Sequence, residues 1–385
     1  SILAMASIIS RVIGLIYRIP LTAIIGNKGN DYYGCAFEIY NILLIISSYS
    51  LPLAVSKLVS ADLSVGRKKN VSRILKCALA FGATTGMIAA LILFFGAEYI
   101  TGTIMKTPYS IFAVKVLAPG LVIVAVLGVM RGFFQGLGTM MPSAVSQVLE
   151  QIVNAIVSVW AAYVLFRYGA RVGAVLGNPE NYAAAYGAAG GTLGTAAGAV
   201  TALIFVAFVL TIYLKVFRQQ MKREHHSKVD SYSYIFKILL ITIIPVLLST
   251  TIYNCNAILD QAIFKNIANL QGYSANDISE WNGIYTGKYK TLINVPISIA
   301  SSLAASSVPA LTAAYTNGDQ EKVRSQINTA IRFIMVIAFP CAVGMGVLAS
   351  PILQLLFHDS SELAATMLQL GAVSILFFSL STLSN

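Results

Sequence analysis

Two arginines lie seven residues apart in an otherwise apolar segment near the start of the chain, SIISRVIGLIYRIPLTAIIG. A helix turns by about 100° per residue, so Arg11 and Arg18 return to nearly the same face, about 10 Å apart along the axis. An arginine at the centre of a membrane-spanning helix costs about 2.5 to 3.5 kcal/mol. We therefore predict that both side chains line a polar interior. One face of this helix is thus basic.

A second polar group lies in a later apolar run, YNCNAILD, which ends at Asp260. Carboxylate and amide oxygens could hold a sodium ion, and the carboxylate could carry a proton. We predict Asp260 and Asn254 as cation-coupling residues, and polar packing explains the same pattern equally well. No metal site and no bound cofactor are expected.

The composition places these residues in a membrane protein. Hydrophobic residues make up 57% of the 385 residues and charged residues 11%, against about 25% charged in soluble domains. Apolar runs of about 20 residues, the length that a bilayer core requires, recur from end to end. We predict an all-α polytopic membrane protein with ten spans, at 1–25, 33–58, 73–96, 110–130, 142–166, 186–214, 235–263, 285–315, 326–349 and 362–385.

The net charge of +11 is explained by membrane topology, because most lysines and arginines lie in short loops between apolar runs. This pattern indicates orientation and argues against nucleic acid as a partner. With a cytoplasmic N-terminus, the inner loops hold eleven of these cations and the outer loops five, so we predict that orientation. The chain begins without Met, inside an apolar run, and we expect it to be part of a longer protein without a cleavable signal peptide.

An internal repeat organises the spans. Residues 58–73, LVSADLSVGRKKNVSR, match residues 310–325, ALTAAYTNGDQEKVRS, at an offset of 252 positions. An even number of spans separates the copies, so both have the same orientation. This predicts two pseudo-symmetric six-helix lobes around a central cavity, related by an axis along the membrane normal. We assign the lobes to 1–214 and 235–385, the second incomplete, with a basic cytoplasmic linker at 215–234.

The same offset sets Glu38 of the second span opposite Lys290 of the eighth. Equivalent positions in two related lobes tend to face each other across the central axis. We predict that this carboxylate and ammonium pair when the cleft closes on one side. The alternative is that Glu38 pairs with Arg18 inside the first lobe.

Enzymatic chemistry has little support in the sequence. The three histidines, His225, His226 and His358, fall in predicted loops, and no HExxH, GxSxG, Walker or CxxC pattern is present. We predict a transporter and not an enzyme. Uphill transport would use an ion gradient or the membrane potential.

Four segments carry a family resemblance: SRVIGLIYR, GNDYYG, LPLAVSKLVSA and YKTLINVPISIASSLAASSVPALT. With them the chain resembles the polysaccharide exporters of the MOP superfamily, and within these the stage V sporulation protein B branch and the MurJ-type lipid II flippases. The resemblance implies an alternating-access transporter in the bacterial cytoplasmic membrane. It also implies the cargo, an undecaprenyl-pyrophosphate-linked precursor of the cell wall. Such proteins normally have fourteen spans.

The resemblance also implies which side chains serve the central cavity: Arg11, Arg18, Asp31 and a basic residue of the eighth span, most nearly Lys290 with Lys288 beside it. The expected partners are the lipid-linked sugar and the bilayer, and we expect a monomer. The runner-up function is a cation-coupled drug exporter of the MATE type, which would depend on Glu38, Glu150 or Asp260. A third is a membrane-embedded transferase, which would need a catalytic acid or histidine in a loop.

Overall fold

The computed structural model describes residues 2–222, 229–316 and 318–384, and no strand is present among them. The helices are α1 (Ile2–Leu44), α2 (Leu51–Ser64), α3 (Lys68–Tyr99), α4 (Ile111–Gly136), α5 (Met141–Leu176), α6 (Pro179–Lys222), α7 (Tyr232–Leu270), α8 (Ala275–Ile284), α9 (Lys290–Thr316), α10 (Gln320–Val347), α11 (Ala349–Phe357), α12 (Glu362–Gly371) and α13 (Ser374–Ser384). Short π-helical segments at Ile45–Tyr49, Ile100–Ile104 and Tyr285–Tyr289 join some of them.

The predicted spans correspond to these helices. Seven stretches of the described residues are long and apolar enough to cross a membrane, and one of them, Met5–Ser64, holds the first two predicted spans. The prediction of an all-α polytopic membrane protein is confirmed. The tenth span was predicted as one helix, but α12 and α13 are bent against each other by 44°. Much of the predicted linker is helical, because α6 continues to Lys222 and α7 begins at Tyr232. His225 and His226 lie outside the described residues.

A break at Gly26 separates the first two spans within α1. Gly26 has φ 67° and ψ −176°, a left-handed value that an L side chain rarely adopts. The Asn30 amide donates to Gly26 O at 2.7 Å and to Thr22 O at 3.3 Å. These bonds supply partners for carbonyls at the break, which a membrane segment requires.

The two ends of the bundle are distinct. We call one the Asp31 end, where Lys28 pairs with Glu180 at 2.9 Å and Tyr32 stacks on Tyr109. At the opposite end, the Arg67 end, Arg67 reaches Asp230 at 3.4 Å. The loops at each end are those that the predicted spans place on one side of the membrane. In the predicted orientation the Asp31 end is the outer one. Which end faces the cytoplasm stays a prediction.

Small residues hold α5 and α6 in close contact, because Gly and Ala side chains let two helix backbones approach each other. A Cβ at Gly190 would lie 2.5 Å from Ala161 O, and one at Gly198 would lie 2.5 Å from Glu150 O. The backbone around Glu150 is therefore fixed against α6.

The repeat is visible in the local geometry. Helix α2 ends at Ser64 and α9 at Thr316, while α3 begins at Lys68 and α10 at Gln320. Both pairs differ by 252 positions. The matched turn glycines, Gly66 and Gly318, both have left-handed backbones, with φ of 78° and 72°.

Helix α7 packs against the first lobe, although the predicted boundary assigns it to the second. Its buried side chains Ile235, Leu239 and Ile243 share a core with residues of α2, α3, α4 and α6. The Asp230 carboxylate just before it accepts from Asn70 at 2.8 Å. The first half of α7 is thus packed as part of the first lobe.

Candidate functional site

A polar cavity of about 280 Å³ opens among α1, α4 and α5. Ser7, Ser10 and Arg11 line it from α1, Gln147, Glu150 and Gln151 from α5, and Arg131 from α4. Within each of the two triplets the spacing is i, i+3, i+4, which places the three side chains on one helix face. Among the predicted binding residues, Arg11 is the one that lines this cavity. The wall comes from the first lobe.

The carboxylate of the cavity is already paired. Arg131 Nη2 lies 2.8 Å from Glu150 Oε2, and Arg131 Nε donates to Ser146 Oγ at 2.8 Å. The positive charge of Arg131 and the negative charge of Glu150 cancel each other. The formal charge of the lining is therefore the single positive charge of Arg11.

Arg11 connects the cavity to the second lobe. The residue is exposed, and its Nη1 donates to Ser298 O of α9 at 2.8 Å. The guanidinium thus lies where α1 and α9 meet, inside a predicted span. That Arg11 avoids lipid stays a prediction.

Arg18 is held in another way. Its guanidinium carbon lies 4.8 Å from the centroid of the Tyr33 ring, and the residue is half-buried. Such a cation–π contact stabilises a charge by about 0.5 to 2 kcal/mol, more when it is desolvated. Tyr33 therefore positions Arg18 beside the second half of α1.

The predicted partners Glu38 and Lys290 are in contact. Lys290 Nζ donates to Glu38 Oε1 at 2.8 Å, and the side chains are 28% and 20% exposed. Lys290 also lies 5.3 Å from the Tyr285 ring centroid. The repeat thus identified a pair that joins the two lobes, and Glu38 is bonded to Lys290 in preference to the alternative partner Arg18.

Asp31 is enclosed in a network of five residues that we call the Asp31 network. Lys265 Nζ and Asn282 Nδ2 both donate to Asp31 Oδ1 at 2.6 Å, and Ser279 Oγ donates to Oδ2 at 2.7 Å. Lys265 also donates to Thr107 Oγ1 at 2.6 Å. The Asp31 and Lys265 side chains are 2% and 1% exposed. Both carboxylate oxygens are therefore occupied by protein donors, away from the cavity.

Glycines bring the lobes together around this network. A Cβ at Gly283 would lie 1.9 Å from Asn27 O, and one at Gly287 would lie 2.5 Å from Asn30 Cγ. The Thr286 hydroxyl donates to Asn30 O at 3.2 Å across the same contact. This close approach leaves no space for water and closes the Asp31 end.

Lys288 also pairs inside the second lobe. It is buried, and its Nζ donates to Asp359, which lies between α11 and α12. Burial alone raises the pKa of Asp359, but hydrogen bonds from Lys288 and Ser361 outweigh it, so this pKa lies below its ordinary value. The structure thus places Lys288 away from the cavity.

The predicted coupling residues do not share a site in this conformation. Asn254 Nδ2 donates to Thr250 O of its own helix at 2.8 Å, while Asp260 is exposed. Six residues of helix separate them by about 120° around the axis. Within the described ranges, no group of three or more His, Cys, Asp or Glu side chains is placed to hold a metal. Cation coupling stays a prediction.

The sequence analysis predicted neither the partners of Asp31 nor the cavity. The sequence places Lys265 in an outer loop, because it follows the predicted seventh span, and no repeat links it to Asp31. The cavity did leave a signal. Polar residues recur at i, i+3, i+4 in two otherwise apolar spans, at 7, 10, 11 and at 147, 150, 151.

Known proteins resemble this chain over its whole length. It is 27% identical to the lipid II flippase MurJ of Bacillus subtilis strain 168, over 100% of this chain and 70% of that protein. It is 24% identical to the stage V sporulation protein B of the same organism, over 93% of this chain and 66% of the relative. The chain thus spans about two thirds of each relative.

Solved structures show the same fold. An inward-facing multidrug resistance MATE transporter of the MOP superfamily matches with a TM-score of 0.68 and 15% identity, over 97% of this chain and 82% of that one. An outward-facing MATE structure matches with a TM-score of 0.63 and 16% identity, over 100% of this chain and 79% of that one. At 15 and 16% identity these structures show the fold alone. The names of these relatives are those of a flippase and of transporters and not of enzymes, in line with what the sequence predicts for this chain.

Family models give the assignment. One described as polysaccharide biosynthesis protein matches residues 1–314, and another with the same description matches residues 279–362. The first covers most of the chain. The chain therefore belongs to the polysaccharide biosynthesis protein family and has the fold of MOP-superfamily transporters.

Proposed function

We propose that this protein moves a saccharide linked by pyrophosphate to a polyprenyl lipid, of the lipid II type, across the bacterial cytoplasmic membrane. The similarity to a lipid II flippase supports this substrate class. The observation that carries the proposal is Arg11, a permanent cation inside a predicted span, at the edge of a polar cavity and against α9 of the other lobe.

The distribution of charge favours an anionic cargo. The cavity carboxylate, Glu150, is neutralised by Arg131, and Glu38 is bonded to Lys290. A diphosphate needs cations held in a fixed geometry, which arginine supplies through planar, charge-assisted donors. Arg11 and Arg18 provide two such groups on one helix.

The transport step follows from the closed Asp31 end. The headgroup binds at the cavity near the Arg67 end while the lipid tail remains in the bilayer. Release on the other side requires α8 to leave α1, which separates Asp31 from Ser279 and Asn282 and breaks the close contacts around Gly283. The lobes then rock about the axis between them, as in other transporters built from repeats.

The second candidate, a cation exporter, is favoured by the MATE structures only at the level of fold. Its acidic residues would be Glu38, Glu150 and Asp260, and the first two are paired with cations here. Asp260 alone is exposed.

Binding of undecaprenyl pyrophosphate to the purified protein in nanodiscs tests the proposal. Arg11→Ala removes charge-assisted hydrogen bonds of about 1.5 to 3 kcal/mol, so we expect binding to weaken about ten- to hundredfold. Arg18→Ala should weaken it as well. Arg167→Ala is the matched control, because Arg167 contacts Tyr163 of its own helix, away from the cavity. Wild-type affinity in the Arg11 variant, or proton- or sodium-driven export of an organic cation that Asp260→Asn abolishes, would contradict the proposal.

A further inference from the structure

The cavity contains more polar groups than binding of a pyrophosphate requires. Two serines of α1 face two glutamines of α5 across it. Hydroxyl and amide groups both donate and accept hydrogen bonds, so this wall suits an uncharged ligand that does the same.

The facing groups do not satisfy one another. Gln147 Oε1 is buried and accepts no hydrogen bond from the described residues. Ser10 Oγ donates to the backbone Gln147 O at 3.4 Å. A buried acceptor without a partner costs about 1 to 3 kcal/mol, which is recovered when the Gln147 side chain turns toward a donor of the ligand.

The size of the cavity sets the size of that ligand. Its 280 Å³ equals the volume of roughly nine waters at about 30 Å³ each, and it lies near the lower limit of about 300 Å³ for small-molecule pockets. This space is large enough for one sugar ring.

We propose that Ser7, Ser10, Gln147 and Gln151 form a subsite for the first sugar unit of the transported lipid, beside the pyrophosphate held by Arg11. This inference rests on the proposed function. The sugar attached directly to the pyrophosphate must lie within one bond of it, and Arg11 is in the same cavity wall, one residue from Ser10 and one turn from Ser7. Hydroxyls of the ring donate to the glutamine oxygens and accept from the glutamine NH₂ and serine hydroxyl groups.

The test compares two probes on the full chain in nanodiscs: undecaprenyl pyrophosphate, and the same lipid carrying a single glucose. Gln147→Leu and Gln151→Leu keep the side-chain size and remove the polar atoms. We expect each to weaken binding of the glucosylated lipid about tenfold, the loss of one or two hydrogen bonds, and to change binding of the bare lipid less than twofold. Gln354→Leu is the control, because Gln354 is exposed on α11, outside the cavity.

The outcomes separate the two proposals. If the wild-type protein binds neither probe, the proposed function fails. If both probes bind but the ratio of their affinities is unchanged in the glutamine variants, the sugar subsite is wrong and the proposed function stands. Equal weakening of both probes would assign the cavity to the pyrophosphate alone, and it too overturns the inference. Ser7→Ala, a smaller change, gives the same comparison if a leucine variant fails to fold.

Discussion

Two ion pairs link α1 to later helices, Asp31 to Lys265 of α7 and Glu38 to Lys290 of α9, and their environments differ. Asp31–Lys265 is 1 to 2% exposed and bonded on every side, whereas Glu38–Lys290 is 20 to 28% exposed. Charges in a dry site cannot be separated without a partner, because an unpaired buried ion costs several kcal/mol. Charges that water reaches can exchange partners at little cost. The first pair therefore acts as a latch, and the second is able to open and re-form.

The largest effect is expected at the latch. Lys265→Met leaves Asp31 buried without a counter-ion, which typically costs about 3 to 5 kcal/mol. Thermal unfolding of the purified protein should show a clear fall in Tm. Lys290→Met is the matched control, and we expect it to cost about 1 kcal/mol or less because Glu38 can hydrate.

The double variant Asp31→Asn with Lys265→Met removes both charges and should recover most of the lost stability. If the double variant is as unstable as Lys265→Met alone, the ion pair is not the source of the effect, and the comparison of the two pairs fails.

An intermediate effect is expected from Gly283→Ala. The added Cβ would lie 1.9 Å from Asn27 O, so α8 must move away from α1 at a cost of about 1 to 3 kcal/mol. Hydrogen exchange in the peptides 27–34 and 279–287 should accelerate about five- to a hundredfold. Gly344→Ala is the control, since no atom lies within 4 Å of its Cβ position. Equal exchange in the two variants would show that the Asp31 end opens by another route.

The two pairs also show what the sequence reveals. Hydrophobic runs predicted the helices because lipid imposes a length and a polarity, and the 252-residue offset predicted the Glu38–Lys290 contact because symmetry relates those positions. Neither a hydrophobic run nor the repeat relates Lys265 to Asp31. It binds Asp31 across 234 positions without a repeat, so only the packing of α1, α7 and α8 brings it there. The bend between α12 and α13 was not predicted for a similar reason, since an apolar run does not show where a helix bends.

The smallest effect on stability, but the clearest on conformation, is expected at the exposed pair. Glu38→Cys and Lys290→Cys, in a background without Cys35, Cys77, Cys255 and Cys341, place two thiols where the salt bridge now lies. A short bifunctional thiol reagent should cross-link them in the state closed at the Asp31 end and should stop transport when it does. Substrate that drives the lobes apart should lower the cross-linking yield, because the two residues belong to lobes that rock about the axis between them. A yield that is the same in every state would mean that the pair is static, and the distinction between a closed latch and an exchangeable contact would then be lost.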